Sequence, residues 1–310
     1  MNAKLKDLFE EFLQRFLRYF SVFCVRLSAL NSTTMPWHAR LQLDYRMEAG
    51  RCVGRFEHDG PLRILQSLYP EGEAICHNVV VHPPGGLVAG DTLEIAIRAR
   101  EGSHGLVTTP GATRFYRSDG ELALQSTRIA LDARARMEWL PLEAICYSGC
   151  LAENRLQLQL APGSELIGWD VTAFGLPRSG LPFDRGHLLQ HLELPGHWLE
   201  RGRIDSADAR LMDGALGLAG HRCLATLFLA TGSDLSRPRR DRALALARDV
   251  IEAHPLAASA GATAPGNRVI VVRVLAPLVE PALELLKAIR SCWRPALWDL
   301  PATVPRGWSV

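Results

Sequence analysis

Between Trp37 and about residue 236 the chain never settles into a helical period. Runs of roughly six to ten strand-like residues follow one another about every dozen positions, each closed by a glycine or proline turn. Residues 51–57, 62–68, 75–81, 92–99, 122–131, 137–140, 156–160, 165–174 and 188–194 all read this way. Alternation is cleanest where Leu93, Ile95 and Ile97 point one way and Glu94, Ala96 and Arg98 the other. The turn at 58–61, His-Asp-Gly-Pro, predicts a hairpin between its flanking strands. Such spacing constrains the chain to an all-β core. The period changes near Arg237. Residues 241–254 are helical through Leu244, Ala247, Val250 and Ile251, and Pro255 ends them. Residues 269–275 form a strand, and residues 281–293 a second helix through Leu285, Leu286 and Ile289. The pattern predicts a mainly β fold with a small cap of two helices in the C-terminal half. No sequence repeat with a period of 20 to 50 residues stands out.

At 310 residues the chain can bury a proper core, and its 47% hydrophobic and 22% charged residues are those of a globular protein. A formal net charge of +2 without a long basic run argues against nucleic acid as a partner. The cluster Arg237, Arg239, Arg240 and Arg242 is short and interrupted by Asp241, and reads as a solvated helix start. Seven widely spaced cysteines and no secretory signal fit reduced thiols in a cytoplasmic protein. Cys146 and Cys150 are the one close pair, with no second pair of ligands nearby to complete a zinc site.

Residues 1–34 differ from the rest. Leu5, Leu8, Phe9, Phe12, Leu13, Phe16, Leu17, Phe20 and Phe23 recur at helical spacing and predict an amphipathic helix. Asp7, Glu10 and Glu11 interrupt it, so neither a signal peptide nor a membrane span fits. Three readings stay open: a partner-binding or partly disordered extension, a natural start at Met35, and a membrane-surface helix. The domain expectation is therefore an extension over 1–34 and one body over 35–310.

The stretch 77–118 carries two tight turns, one built on Pro83, Pro84, Gly85, Gly86 and Gly90, the other on Pro110 and Gly111. Gly85 and Gly90 have phosphate-loop spacing, but Asp91 stands where the lysine belongs, and a carboxylate repels phosphate. No nucleophile elbow, His-Glu-x-x-His or dinucleotide fingerprint is present. A hydrolase would need an active site assembled from distant residues. His187 and His191, with His197 beyond them, read as a polar outer strand face. Cys76, His77 and His82 are weak candidates for a borderline metal, with core packing and turn hydrogen bonds as the plainer account. Three acids are harder to dismiss. Asp91 opens a strand behind a glycine turn, Asp170 lies in an apolar segment where burial is costly, and Glu200 follows Trp198-Leu199. Their plainer roles are a turn hydrogen bond, a paired structural acid and a surface ion pair.

Several long motifs in order carry a resemblance. His82-Pro-Pro-Gly-Gly-Leu-Val-Ala-Gly-Asp91, the segment 108–118, Met137 to Ile145, Ala161 to Asp170 and Val304-Pro-Arg-Gly-Trp308 together resemble the urease accessory protein family UreD, also called UreH. The likeness covers nearly all of 35–310 and leaves the first 34 residues outside. It implies a strand-rich, β-helix-like stacked scaffold with a pair of helices. It also implies a non-catalytic chaperone that joins apo-urease subunits to the accessory proteins UreF and UreG and assists nickel insertion. Nickel would then be in transit rather than a tightly bound cofactor, and no nucleic acid or membrane partner is implied. By motif, Asp91 and Asp170 match acidic positions along a nickel passage, with Glu200 a looser match. Isolated carboxylates suit a site that must release its ion better than a closed Cys/His cage. One departure stands out: Leu176 occupies the place of a family arginine, with Arg178 two residues on. The competing readings are a β-scaffold hydrolase with a dispersed active site and an adaptor without a metal path.

Overall fold

The structure is a computed structural model that describes residues 36–308; the predicted N-terminal helix lies outside the described residues. Strands β1 (His38–Glu48) and β2 (Arg51–Asp59) form a hairpin. Its two turn residues, Ala49 (φ 48°) and Gly50 (φ 83°), are both left-handed, the twist that suits a two-residue hairpin. The hairpin expected at 58–61 does not form. β2 pairs only with β1, whereas β3 (Arg63–Leu68) pairs with β4 (Cys76–Val81) in the other sheet. The Gly60 turn (φ 70°) carries the chain from sheet to sheet. A turn signal reports that the chain reverses, and says nothing about which strand it then meets.

From β4 the chain coils. In order come β5 (Thr92–Ala99), β6 (His104–Thr108), β7 (Thr113–Phe115), β8 (Ala123–Leu131), β9 (Arg136–Leu140), β10 (Ala144–Cys146), β11 (Cys150–Leu160) and β12 (Glu165–Leu176). They are followed by β13 (Leu181–Pro182), β14 (Gly186–Leu194) and β15 (Trp198–Asp205). Each turn of the coil adds one strand to each of two sheets. One sheet runs β15-β14-β11-β8-β5-β1-β2, and its five middle strands are parallel. The other stacks β4, β6, β9 and β12 in parallel. A short third wall is made by Leu87, β7, β10 and the end of β12. This is a stacked β-solenoid.

A structural repeat is present after all, at about thirty residues: Cys76 lies beside Gly105, His104 beside Arg136, and Arg136 beside Glu165. The inner row Leu41, Ile95, Thr127, Leu156, Leu192 shows why the sequence hides it. A coil position asks for a side chain of suitable volume facing inward, and several residue types meet that demand.

After β15 come a one-turn helix α1 (Ala209–Asp213), capped by Asp208, then β16 (Cys223–Thr231) and α2 (Arg237–Glu252). β17 (Ala260–Thr263), β18 (Val269–Ala276) and α3 (Val279–Trp298) complete the body. β16, β18 and β17 extend the second sheet antiparallel beyond β12. Both long helices begin earlier than the periodicity predicts: the first turn of α2 is polar and carries no apolar stripe, and α3 starts two residues ahead of Pro281, which sits in its first turn. The second sheet is buried on both faces. Leu166 and Phe174 of β12 pack into the solenoid interior, while Ile167, Trp169 and Val171 pack under the helices with Leu285, Leu286, Ile289 and Trp293. Each such large apolar side chain contributes about 1.5–3 kcal/mol by leaving water. No helix of the described residues is long and apolar enough to cross a membrane.

Candidate functional site

Inward-facing positions of a solenoid should be apolar, and most are. Where they are not, the exceptions line up. Gln125 on β8, Asn154 on β11 and Gln190 on β14 are neighbours in register across the inner face of the first sheet. Gln125 Nε2 donates to Asn154 Oδ1 at 3.4 Å, and Thr113 Oγ1 to Gln125 Oε1 at 3.3 Å. From the facing sheet Asp170 meets this ladder: Asn154 Nδ2 donates to its Oδ2 at 2.6 Å, and Gln190 Nε2 to its Oδ1 at 2.7 Å. Burial pushes the Asp170 carboxyl up from its ordinary pKa; the two amides and Arg273 oppose that shift, and Glu200 adds to it. The acid that the apolar segment 165–174 flagged is thus an interior carboxylate held by amides, without an ion pair of its own.

Asp170, Thr226 and Arg273 occupy adjacent positions on β12, β16 and β18. Thr226 is fully buried, and its hydroxyl has no hydrogen-bond partner. Arg273 forms an ion pair with Glu200 of β15, whose other oxygen accepts from Trp198 Nε1 at 3.2 Å. The Arg273 and Glu200 side chains are 35% and 24% exposed, so the polar interior reaches solvent at this end. The structure therefore brings Asp170 and Glu200 into one constellation.

Asp91 sits elsewhere, at the start of β5. One carboxylate oxygen accepts from Trp37 N at 2.8 Å and the other from Val88 N at 2.9 Å. The first bond ties the 82–91 turn to the residue ahead of β1 and the second closes the turn on itself, which is the turn role its position suggested. Cys76, His77 and His82 do not converge. Cys76 faces the interior beside Asn78, at 3.6 Å. His77, one residue on, points to the opposite face of the sheet and meets Glu71 at 2.9 Å. His82 lies in the turn, where burial pushes it down to about 4 against the pull of Asp91. Alternation along β4 separates neighbours by construction. No group of three or more His, Cys, Asp or Glu residues suited to a metal ion occurs among the described residues. His187 and His191 lie on the outer face of β14, as the pattern predicts, and His191 meets Glu193 at 2.9 Å. The glycines of the first turn are needed: a Cβ on Gly86 would lie 2.3 Å from the Tyr116 ring. Leu176 ends β12 and pairs with Leu181, while Arg178 sits in the exposed turn that follows. The described cysteines are all free.

A second polar cluster lies between the second sheet and α3. Arg290 and Arg294 are fully buried. Glu138 accepts from Arg290 Nε at 2.6 Å and lies 3.5 Å from Arg294 Nε. Arg294 Nη2 reaches Glu71 at 2.7 Å, and both arginines donate to the Thr303 carbonyl, at 2.9 and 3.3 Å. Burial alone would raise Glu71, but hydrogen bonds from His77 and Arg294 hold its carboxyl at about 2. Two carboxylates thus balance two guanidiniums, while burial pushes His104 beside them down to about 3 and keeps it neutral. Trp308 stacks on Trp169 at 5.1 Å between centroids and donates to Thr108 at 3.1 Å. The clamp therefore joins the 137–145, 161–170 and 304–308 segments, which sequence reasoning had treated separately. Arg239 of the supposedly solvated cluster also has a partner, Glu165 on β12.

Sequence reasoning missed Gln125, Asn154, Gln190, Thr226 and Arg273. The available signal was parity: Asn154 shares the inward register of Leu156 and Leu158, and Arg273 that of Val271 and Leu275.

Comparison with known proteins places these features in a family. Residues 38–309 match the model of the UreD urease accessory proteins. The urease accessory protein UreD of Variovorax paradoxus is 66% identical over 276 residues, covering 89% of this chain and all of the relative. Those of Polaromonas naphthalenivorans and Leptothrix cholodnii are 66% and 55% identical over the same length, covering 89% and 88% of this chain and 100% and 99% of the relatives. With a family model over most of its length and relatives at up to 66% identity, all urease accessory proteins rather than catalysts, the chain belongs to the UreD family of urease accessory proteins.

Proposed function

We propose that the chain is a non-catalytic scaffold of urease maturation. It joins apo-urease to the UreF and UreG accessory proteins, and nickel in transit passes through its interior. The observation that carries the metal part is the inward-facing ladder of Gln125, Asn154, Asp170 and Gln190, with the partly exposed Arg273–Glu200 pair beside it. A divalent cation crossing a protein interior needs oxygen donors to replace lost water, yet must be held loosely enough to move on. Amide oxygens and two separated carboxylates meet both demands. The raised proton affinity of Asp170 has the same consequence, because a proton competes with the metal for one carboxylate. Asp91 serves the scaffold in this reading, through its two turn hydrogen bonds.

The test is urease activation with Asp170→Asn and Glu200→Gln, singly and together. Urease nickel content is read alongside assembly of the complex with UreF, UreG and apo-urease. Assembly retained with nickel loading lost supports the path. Unchanged loading with intact assembly leaves a plain adaptor, and loss of assembly makes both residues structural.

A further inference from the structure

We infer that Arg273 is a resident counter-ion of the interior path, a cation that holds the place of the metal at the Asp170–Glu200 end and must swing aside when a divalent ion arrives. The inference rests on the nickel-path reading and adds a residue that sets how tightly the path holds its cargo.

Four observations lead to it. First, Arg273 occupies an inward position on β18, in register with the buried Thr226 and, one strand further, Asp170. An arginine among Val271 and Leu275 sacrifices apolar packing there. Second, its guanidinium pairs with Glu200 and stands within electrostatic reach of Asp170. One cation therefore serves two acids from different sheets, as a metal ion would. Third, the Thr226 hydroxyl, fully buried and without a partner, lies between Asp170 and Arg273. An unsatisfied oxygen between a buried carboxylate and the guanidinium that pairs with Glu200 is a ligand position rather than a packing feature. Fourth, there is room to move. Gly202, beside Gln190 on β15, and Gly261, beside Arg273 on β17, would each carry a Cβ into open space.

A partly exposed Arg–Glu pair adds little to stability, so holding the fold together is a poor account of it. As a competitor it has a clear effect. Without metal, the guanidinium offsets repulsion between the two carboxylates and keeps the path organised. With metal, its charge opposes the incoming ion and weakens binding, which favours release over capture.

The experiment uses the full chain, with Ni²⁺ alone as the probe in equilibrium dialysis and guanidinium ion as a second ligand. Arg273→Ala should bind Ni²⁺ about tenfold more tightly than the unaltered chain, or better, since an opposing charge has been removed. Millimolar guanidinium should reverse that gain by refilling the vacancy and should leave the unaltered chain unchanged. Arg273→Lys, which keeps the charge, should stay near the unaltered affinity. If Arg273→Ala does not fold, Arg273→Met keeps the aliphatic stem and carries the same expectation. A neutral variant that folds normally yet binds Ni²⁺ no tighter, or a gain that guanidinium does not reverse, overturns the inference. Asp170→Asn and Glu200→Gln separate the two ideas. If they abolish nickel loading of urease while Arg273 variants bind Ni²⁺ unchanged, the path stands and the counter-ion falls. If loading survives them while Arg273→Ala gains Ni²⁺ affinity, the counter-ion stands at a site that is not the path.

Discussion

Glu138 is the residue whose loss the fold should feel most. Its carboxylate is fully buried and serves Arg290 and Arg294 together, and Arg290 has no other acidic partner among the described residues. Glu138→Gln keeps the shape and an amide oxygen for Arg290 Nε, but removes the negative charge and leaves Arg290 with neutral acceptors alone. Breaking a buried ion pair from one side costs about 3–5 kcal/mol, because the remaining charge stays out of water. Against a total stability of about 5–15 kcal/mol this is a large fraction. At about 2–4 °C per kcal/mol for a body of this size, the midpoint should fall by roughly 6–20 °C. Thermal and urea unfolding of the full chain, followed by circular dichroism, would read it. Glu138→Leu with Arg290→Met replaces both charges by apolar groups and should recover most of the loss, whereas independent contributions would sum. A cost below about 1 kcal/mol for Glu138→Gln, or a double variant as poor as the summed singles, would refute the reasoning.

Acid should unfold the protein for a defined reason. The folded pKa values of His104 and His82, about 3 and about 4, lie below the ordinary 6.5, so the unfolded chain binds protons first. Their stability is complete above pH 6.5 and is lost as pH falls toward those values, by roughly 2 kcal/mol each at pH 5. Glu71 adds to the same trend lower down, between its ordinary 4.5 and about 2. Urea midpoints at pH 7.5 and 5 would show it, and His104→Asn should flatten the slope; equal midpoints would contradict it. Asp91→Ala should destabilise the chain by about 1–3 kcal/mol through two lost acceptors, while urease still receives nickel. A drop in nickel loading at unchanged stability would move Asp91 into the path.

Much of the fold was legible because alternation is local. A strand advertises its inward face within a few residues, and so does a helix such as α3. Pairing was not legible: Cys76 lies beside Gly105 and Thr92 beside Leu124 through contacts that no turn residue encodes. The same limit explains the hairpin at 58–61, where the turn is real and the partner is not. In the site, Asp170 was visible because a carboxylate in an apolar run is anomalous. Asn154 and Gln190 obey the same rule but sit in strands with polar outer faces, where one more polar residue attracts no notice, whereas Arg273 stands in a strand apolar on both faces and was as anomalous as Asp170. His77 shows what stays hidden. Its place in the clamp depends on Arg294, which shares Glu71 with it across 223 residues of chain.

The central claim is that the interior carboxylates conduct nickel rather than merely hold the solenoid together. Nickel per urease active site, measured on urease matured with Asp170→Asn/Glu200→Gln in an assembled complex, tests it most directly. The account predicts normal assembly with nickel loading slowed at least about tenfold, the factor that corresponds to some 1.4 kcal/mol. Full loading at the unaltered rate in an intact complex would contradict it.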